Sequence, residues 1–171
     1  MSFRVPTIEL ENITDIVPGN EKLCDIVGKI KIPALGDTVQ ILHIISTTCQ
    51  VCIDDLPEWQ KFPEELYKQL IMNQKKPRIE FINLIDNKDR QDILTKLITP
   101  IGNDTLQKKL KDVNVSLCLG LITYDEIKAM NIDLLPTTII LKNGSISHTL
   151  SGPIYATDLN KLSNIVSSLV K

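Results

Sequence analysis

Two cysteines three positions apart, Cys49 and Cys52, are the residues of this chain best suited to covalent chemistry. They follow an apolar run, Val39 to Ile45, and three small hydroxyl residues, Ser46, Thr47 and Thr48; a helical pattern begins directly after them. At the first turn of a helix, unpaired backbone N–H groups and the positive end of the dipole stabilise a thiolate. The thiolate is the nucleophile of disulfide exchange. Cys52, one turn further in, is placed to attack a mixed disulfide formed at Cys49. Strand, CxxC and helix in that order therefore read as a dithiol–disulfide site. His43 lies in the strand, six residues before Cys49. It has two readings: a hydrogen-bonded strand histidine, or a proton acceptor beneath the pair that helps Cys52 lose its proton.

The elements that must hold this site can be read from periodicity. Val39–Ile45 is suited to a buried strand. From Ile53 to Met72, the residues Leu56, Trp59, Phe62, Leu66 and Leu70 recur at three- and four-residue steps and define one helical face. Pro57 interrupts that pattern by removing an N–H donor, and Pro63 is a second interruption that divides the helix in two. Arg78–Ile85 predicts a second strand. A helix capped near Asp86–Asp89 and running to about Ile98, a turn from Pro100, and a short helix over Thr105–Leu110 follow. Lys108, Lys109 and Lys111 read as a solvated face. Val113–Leu119 reads as a strand and Tyr124–Met130 as a short helix. Pro136 stands at the mouth of a strand, Thr137–Leu141, where cis peptide bonds are often found. Asn143-Gly144 is a tight hairpin turn into Ser145–Leu150. A final helix starts near Thr157 or Asp158 and runs to about Val170. Before the core, Pro18-Gly19-Asn20 is a turn, Glu21–Val27 a short helix or strand ending at Gly28, and Lys29–Pro33 a strand.

Totals narrow the function. With 171 residues the chain is read as one domain, long enough for a real core. A formal net charge of -2 and the absence of a basic stripe argue against nucleic-acid binding. No apolar run is long enough to span a membrane. The first residues, Met1 to Pro6, lack the apolar stretch of a signal peptide, so the expected location is cytoplasmic, or periplasm-like if a leader has been removed. Besides the pair, Cys24 and Cys118 are expected to be isolated packing residues. A zinc site would need a second pair or a suitably spaced histidine.

Taken together, the strand–CxxC–helix and the later Leu135-Pro136-Thr137-Thr138, with its strand, Asn-Gly turn, strand and helix, resemble the thioredoxin superfamily. Within it the chain looks most like the TlpA/ResA-like thiol–disulfide oxidoreductases. Asp25-Ile-Val-Gly-Lys29 is similar to that branch's lead-in, and Asp55-Leu56-Pro57 to its acid-x-Pro. The resemblance implies an α/β, thioredoxin-like fold: a central mixed sheet flanked by helices, with an N-terminal extension (about 1–36) and a helical insertion (about 86–111) in a single domain. It implies that Cys49 attacks and Cys52 resolves. It also implies that Pro136 is a cis-proline facing the pair, and that Leu135 offers backbone hydrogen bonds to a substrate strand. Thr48 stands where the family usually has tryptophan, so it belongs to the substrate surface. His43 falls where thioredoxins often have a buried acid and this branch asparagine. The implied partners are proteins carrying disulfides or thiols and an electron donor, with no cofactor or metal. Gln50-Val51 brings no charge between the cysteines, which points to a reductant or near-neutral couple rather than a strong oxidant. The competing reading is a non-catalytic thioredoxin-like binding module, or a copper chaperone using the same two thiols. A thiol peroxidase fits less well, because Leu42 stands where its motif has proline.

Overall fold

The computed structural model describes residues 5–16, 23–34, 36–71, 77–86 and 104–170. The expected turn at Pro18-Gly19-Asn20, the helix running to Ile98 and the turn from Pro100 lie outside these residues. The strands are β1 (Ile8–Asn12), β2 (Ile30–Ile32), β3 (Val39–Ile45), β4 (Ile79–Asp86), β5 (Val115–Ile122), β6 (Thr137–Lys142) and β7 (Ser145–Ser151). The helices are α1 (Gln50–Trp59), α2 (Phe62–Leu70), α3 (Asp104–Asp112), α4 (Tyr124–Ala129) and α5 (Ala156–Leu169).

The strands form one mixed sheet in the order β2-β1-β5-β4-β3-β6-β7. β3 pairs in parallel with β4, and β4 in parallel with β5, while β6 runs antiparallel to β3. The three parallel strands are buried along their whole length, which explains why they read as continuous apolar runs. Alternation along them still sorts the two faces. Val39, Ile41 and Phe81 pack under α2, α3 and α5 with Trp59, Phe62 and Leu162. Leu42, Ile44, Ile82 and Leu84 pack with Ile127 of α4 and Met130 at its C-terminal cap, together with Ile30 and Ile32. Pro63 falls in the first turn of α2, where its missing N–H costs nothing. The single periodic stretch is therefore two helices, separated at Gln60 and Lys61. Lys109 is not simply solvated: its Nζ lies 3.1 Å from Glu64 Oε1 and 5.5 Å from the Tyr67 ring centroid, tying α3 to α2.

Asn143 and Gly144 turn the β6–β7 hairpin with φ of 54° and 77°, the left-handed pair that a tight turn needs. Gly120 serves a different purpose. A Cβ there would lie 2.9 Å from Ile30 Cδ1 and 3.0 Å from Leu84 Cδ2, so the bare backbone makes room for these two side chains over β5. Gly120→Ala is expected to cost about 1–2 kcal/mol through overpacking, checked by urea unfolding.

The segment before β2 departs from expectation. Residues 23–29 form neither helix nor strand. Specific contacts hold them to β5 instead: Leu117 N donates to Leu23 O at 2.9 Å, and Asp25 N to Ser116 Oγ at 3.1 Å. Arg78 donates through both terminal nitrogens to the Asp25 carboxylate, which this guanidinium holds below the usual carboxylate range. Cys24 and Cys118 are joined as a disulfide across 94 positions, which corrects their reading as isolated packing residues. The reason is topological: the extension crosses the middle of β5, a juxtaposition that neither local sequence encodes.

Candidate functional site

Cys49 is the N-cap of α1, and its Sγ accepts the Cys52 N–H at 3.2 Å. Its extended backbone, φ -94° and ψ 106°, breaks the strand-to-helix connection at the sulfur. Ser46 O accepts the Cys49 N–H at 3.1 Å, and the Ser46 and Thr48 hydroxyls lie 2.8 Å apart, so the hydroxyl residues shape this turn. Cys49 is half-buried and Cys52 fully buried, and both are free thiols. One sulfur is thus reachable from solvent and the other waits behind it.

The Leu135–Pro136 peptide bond is cis, and Leu135 O lies 3.8 Å from Cys49 Sγ. Leu135 and Cys49 both pack against the small apolar cluster that contains Cys52. Gly152 N donates to Pro136 O at 2.8 Å, anchoring this loop to the end of β7. Beside Cys49 a groove of about 600 Å³ runs between this loop and α4, lined among others by Thr48, Tyr124, Ile127, Leu134 and Leu135. Cys49, Cys52, Thr48, Leu135 and Pro136, all singled out from sequence, are therefore gathered at one end of the sheet.

Beneath the pair lies a polar cluster that sequence reading only partly found. Asp55, one turn after Cys52, is buried. Its Oδ1 accepts the Ile154 N–H and its Oδ2 the Trp59 indole N–H, each at 2.8 Å. His43 is fully buried and stacked on Trp59 with ring centroids 4.0 Å apart. Its Nδ1 lies 2.9 Å from Asn83 Oδ1, and its Nε2 lies 3.7 Å from Asp55 Oδ2. Asp55 entered the sequence reading only as part of a motif match, and Asn83 not at all. The signals were there for Asp55: its spacing of three from Cys52 and four from Trp59 puts all three on one side of α1.

Burial pushes the Cys52 thiol up to about 12 from an ordinary 9.0, helped by its hydrogen bond to Cys49 and by the nearby charges of Cys49 and Asp55. The folded, reduced chain thus keeps a proton that the unfolded chain loses. Its stabilising contribution is full below pH 9.0 and is lost as pH rises toward about 12. Thermal unfolding in that window should show Tm falling more steeply for the reduced protein than for Cys52→Ala. Among the described residues, no group of three histidine, cysteine or acidic side chains is placed to hold a metal ion.

The mixed sheet with its flanking helices is a thioredoxin-like fold, as the sequence led us to expect. Solved structures share it. StoA from Bacillus subtilis superposes with a TM-score of 0.53 at 20% identity, covering 91% of this chain and 95% of its own. A thiol:disulfide interchange protein of the thioredoxin family from Chlorobium tepidum gives 0.53 at 14% identity, covering 98% and 97%. A DsbF homologue from Corynebacterium diphtheriae gives 0.54 at 16%, covering 96% and 87%. No protein-family model matches the sequence, and no curated protein does.

Proposed function

We propose that the protein is a thiol–disulfide oxidoreductase of the TlpA/ResA-like kind, reducing or exchanging disulfides in other proteins through Cys49 and Cys52. The observation that carries this reading is the asymmetry of the pair: a half-exposed sulfur at a helix cap, with a buried thiol one turn behind it. Cys49 attacks the substrate disulfide and forms a mixed disulfide. Cys52 then attacks Cys49 Sγ, the substrate leaves as a thiolate, and the pair remains oxidised until an electron donor restores it. A substrate segment lies along the cis-proline loop, hydrogen-bonding the Leu135 backbone beside Pro136, with Thr48 on the opposite rim. His43 belongs to the proton path of Cys52.

The test is insulin reduction by the full chain with dithiothreitol as donor, beside a copper(I) titration of the reduced protein. The reading expects catalysed insulin reduction that depends on Cys49. Tight copper binding without any reduction would leave the metal-chaperone alternative instead.

A further inference from the structure

The Cys24–Cys118 bond has an asymmetry of its own, in a different apolar cluster from the reactive pair. Cys118 is fully buried within β5, whereas Cys24 is half-buried. Cys24 also lines an open groove of about 420 Å³, together with Asn12, Thr14, Asp15, Ile26 and Lys29. Asn12, from the groove wall, donates through Nδ2 to Cys24 Sγ at 3.7 Å and to Ile26 O at 3.2 Å. One sulfur of this bond is therefore open to a reagent in the groove, and the other is not.

The buried sulfur is prepared in a different way. Ser116 Oγ lies 3.5 Å from Cys118 Sγ. A disulfide sulfur carries no hydrogen, so the serine hydroxyl is the donor in this contact. The same oxygen accepts the Asp25 N–H at 3.1 Å and keeps its own hydrogen for the sulfur. Burial in apolar surroundings opposes a charged thiolate. A hydroxyl aimed at Cys118 Sγ favours that charge, which makes Cys118 a better leaving group.

We propose that Cys24–Cys118 is a second thiol-exchange site, entered at Cys24 by a low-molecular-weight thiol in this groove and released at Cys118. Residues 23–29 are then held covalently to β5 only while the surrounding thiols are oxidised. The thiol first gives its proton to water. Its thiolate attacks Cys24 Sγ, a new sulfur–sulfur bond forms there, and the Cys24–Cys118 bond breaks. The electron pair leaves on Cys118 Sγ, which takes up a proton from water. A second thiol frees Cys24, so the two small thiols end as their own disulfide and the protein bond gains two electrons. Reversal needs no further group: the Cys118 thiolate attacks the mixed disulfide at Cys24 and expels the small thiol. The Asp25–Arg78 pair and the Leu117–Leu23 backbone bond remain, so opening the bond loosens the segment without removing it. Cys49 and Cys52 take no part.

The test uses the full chain carrying Cys49→Ala and Cys52→Ala, so that no other cysteine can exchange. The folded protein is incubated with glutathione and quenched with acid, and its cysteines are mapped by alkylation and tandem mass spectrometry. One glutathione on Cys24, with Cys118 as the free thiol, is the expected first product. Adding Ser116→Ala should slow its formation about 10-fold, because the departing sulfur loses its donor. A serine that only packs the segment would act in the opposite direction, since its loss would loosen residues 23–29 and speed exchange. Three results overturn the proposal: glutathione on Cys118, a bond that opens only in urea that unfolds the chain, or a Ser116→Ala rate equal to or above its parent's. The same mapping on the wild-type chain, read at Cys24 and Cys118 alone, decides the question if a variant does not fold.

Discussion

Cys49→Ser is expected to lower disulfide turnover by at least about 10³-fold, while Cys52→Ser accumulates a covalent protein–substrate adduct. The difference follows from where the two sulfurs sit. Cys49 is half-exposed at the head of α1, next to the groove and to Leu135 O. An incoming disulfide meets this sulfur first, and serine cannot replace it as a nucleophile for sulfur. Cys52 is fully buried behind it. No substrate reaches Cys52, yet its sulfur is one helical turn from the bond that must break. Its removal leaves the first step intact and stops the second. Intact-mass spectrometry after mixing each variant with insulin reads both results. An adduct on Cys49→Ser in place of Cys52→Ser would reverse the roles.

The second large effect concerns stability. Removing the Cys24–Cys118 bond with Cys24→Ala and Cys118→Ala is expected to cost about 3–5 kcal/mol, since the bond closes a long loop and restricts the unfolded chain. The bond joins positions 94 apart, near the upper end of what loop closure supplies. It also holds residues 23–29 against β5, together with the Asp25–Arg78 pair and the Leu117–Leu23 backbone bond. Urea unfolding under non-reducing conditions measures the loss. An unchanged midpoint would mean that those polar contacts hold the segment without the bond. Because Cys118 packs in a different apolar cluster from the reactive pair, the double variant should still turn over insulin at temperatures where it remains folded.

What the sequence made legible was local. Strand, hydroxyl turn, cysteine cap and helix occupy consecutive positions, so Val39–Trp59 could be read with its chemistry. Asn143-Gly144 named its own turn, because left-handed backbone at both positions favours those residue types. Proline at 63 divided a helical pattern for a steric reason that needs no tertiary context. The missing parts depend on topology. Cys24 meets Cys118 only because the extension runs over β5. The polar cluster under the cysteines takes His43 from β3, Asn83 from β4 and Asp55 and Trp59 from α1. Each residue alone has an ordinary explanation, and only the sheet order puts an unpartnered imidazole nitrogen opposite a buried carboxylate. Residues 23–29 carried enough apolar character to suggest a regular element, but side-chain and disulfide contacts determine their path.

The most direct test of the central claim is an equilibrium redox titration of Cys49 and Cys52, by alkylation and mass spectrometry across dithiothreitol and glutathione buffers. The account predicts one reversible two-electron transition in which both residues change together, with a potential on the reducing side, roughly -270 mV. A pair that stays alkylatable at every potential, never forming a disulfide, would contradict it.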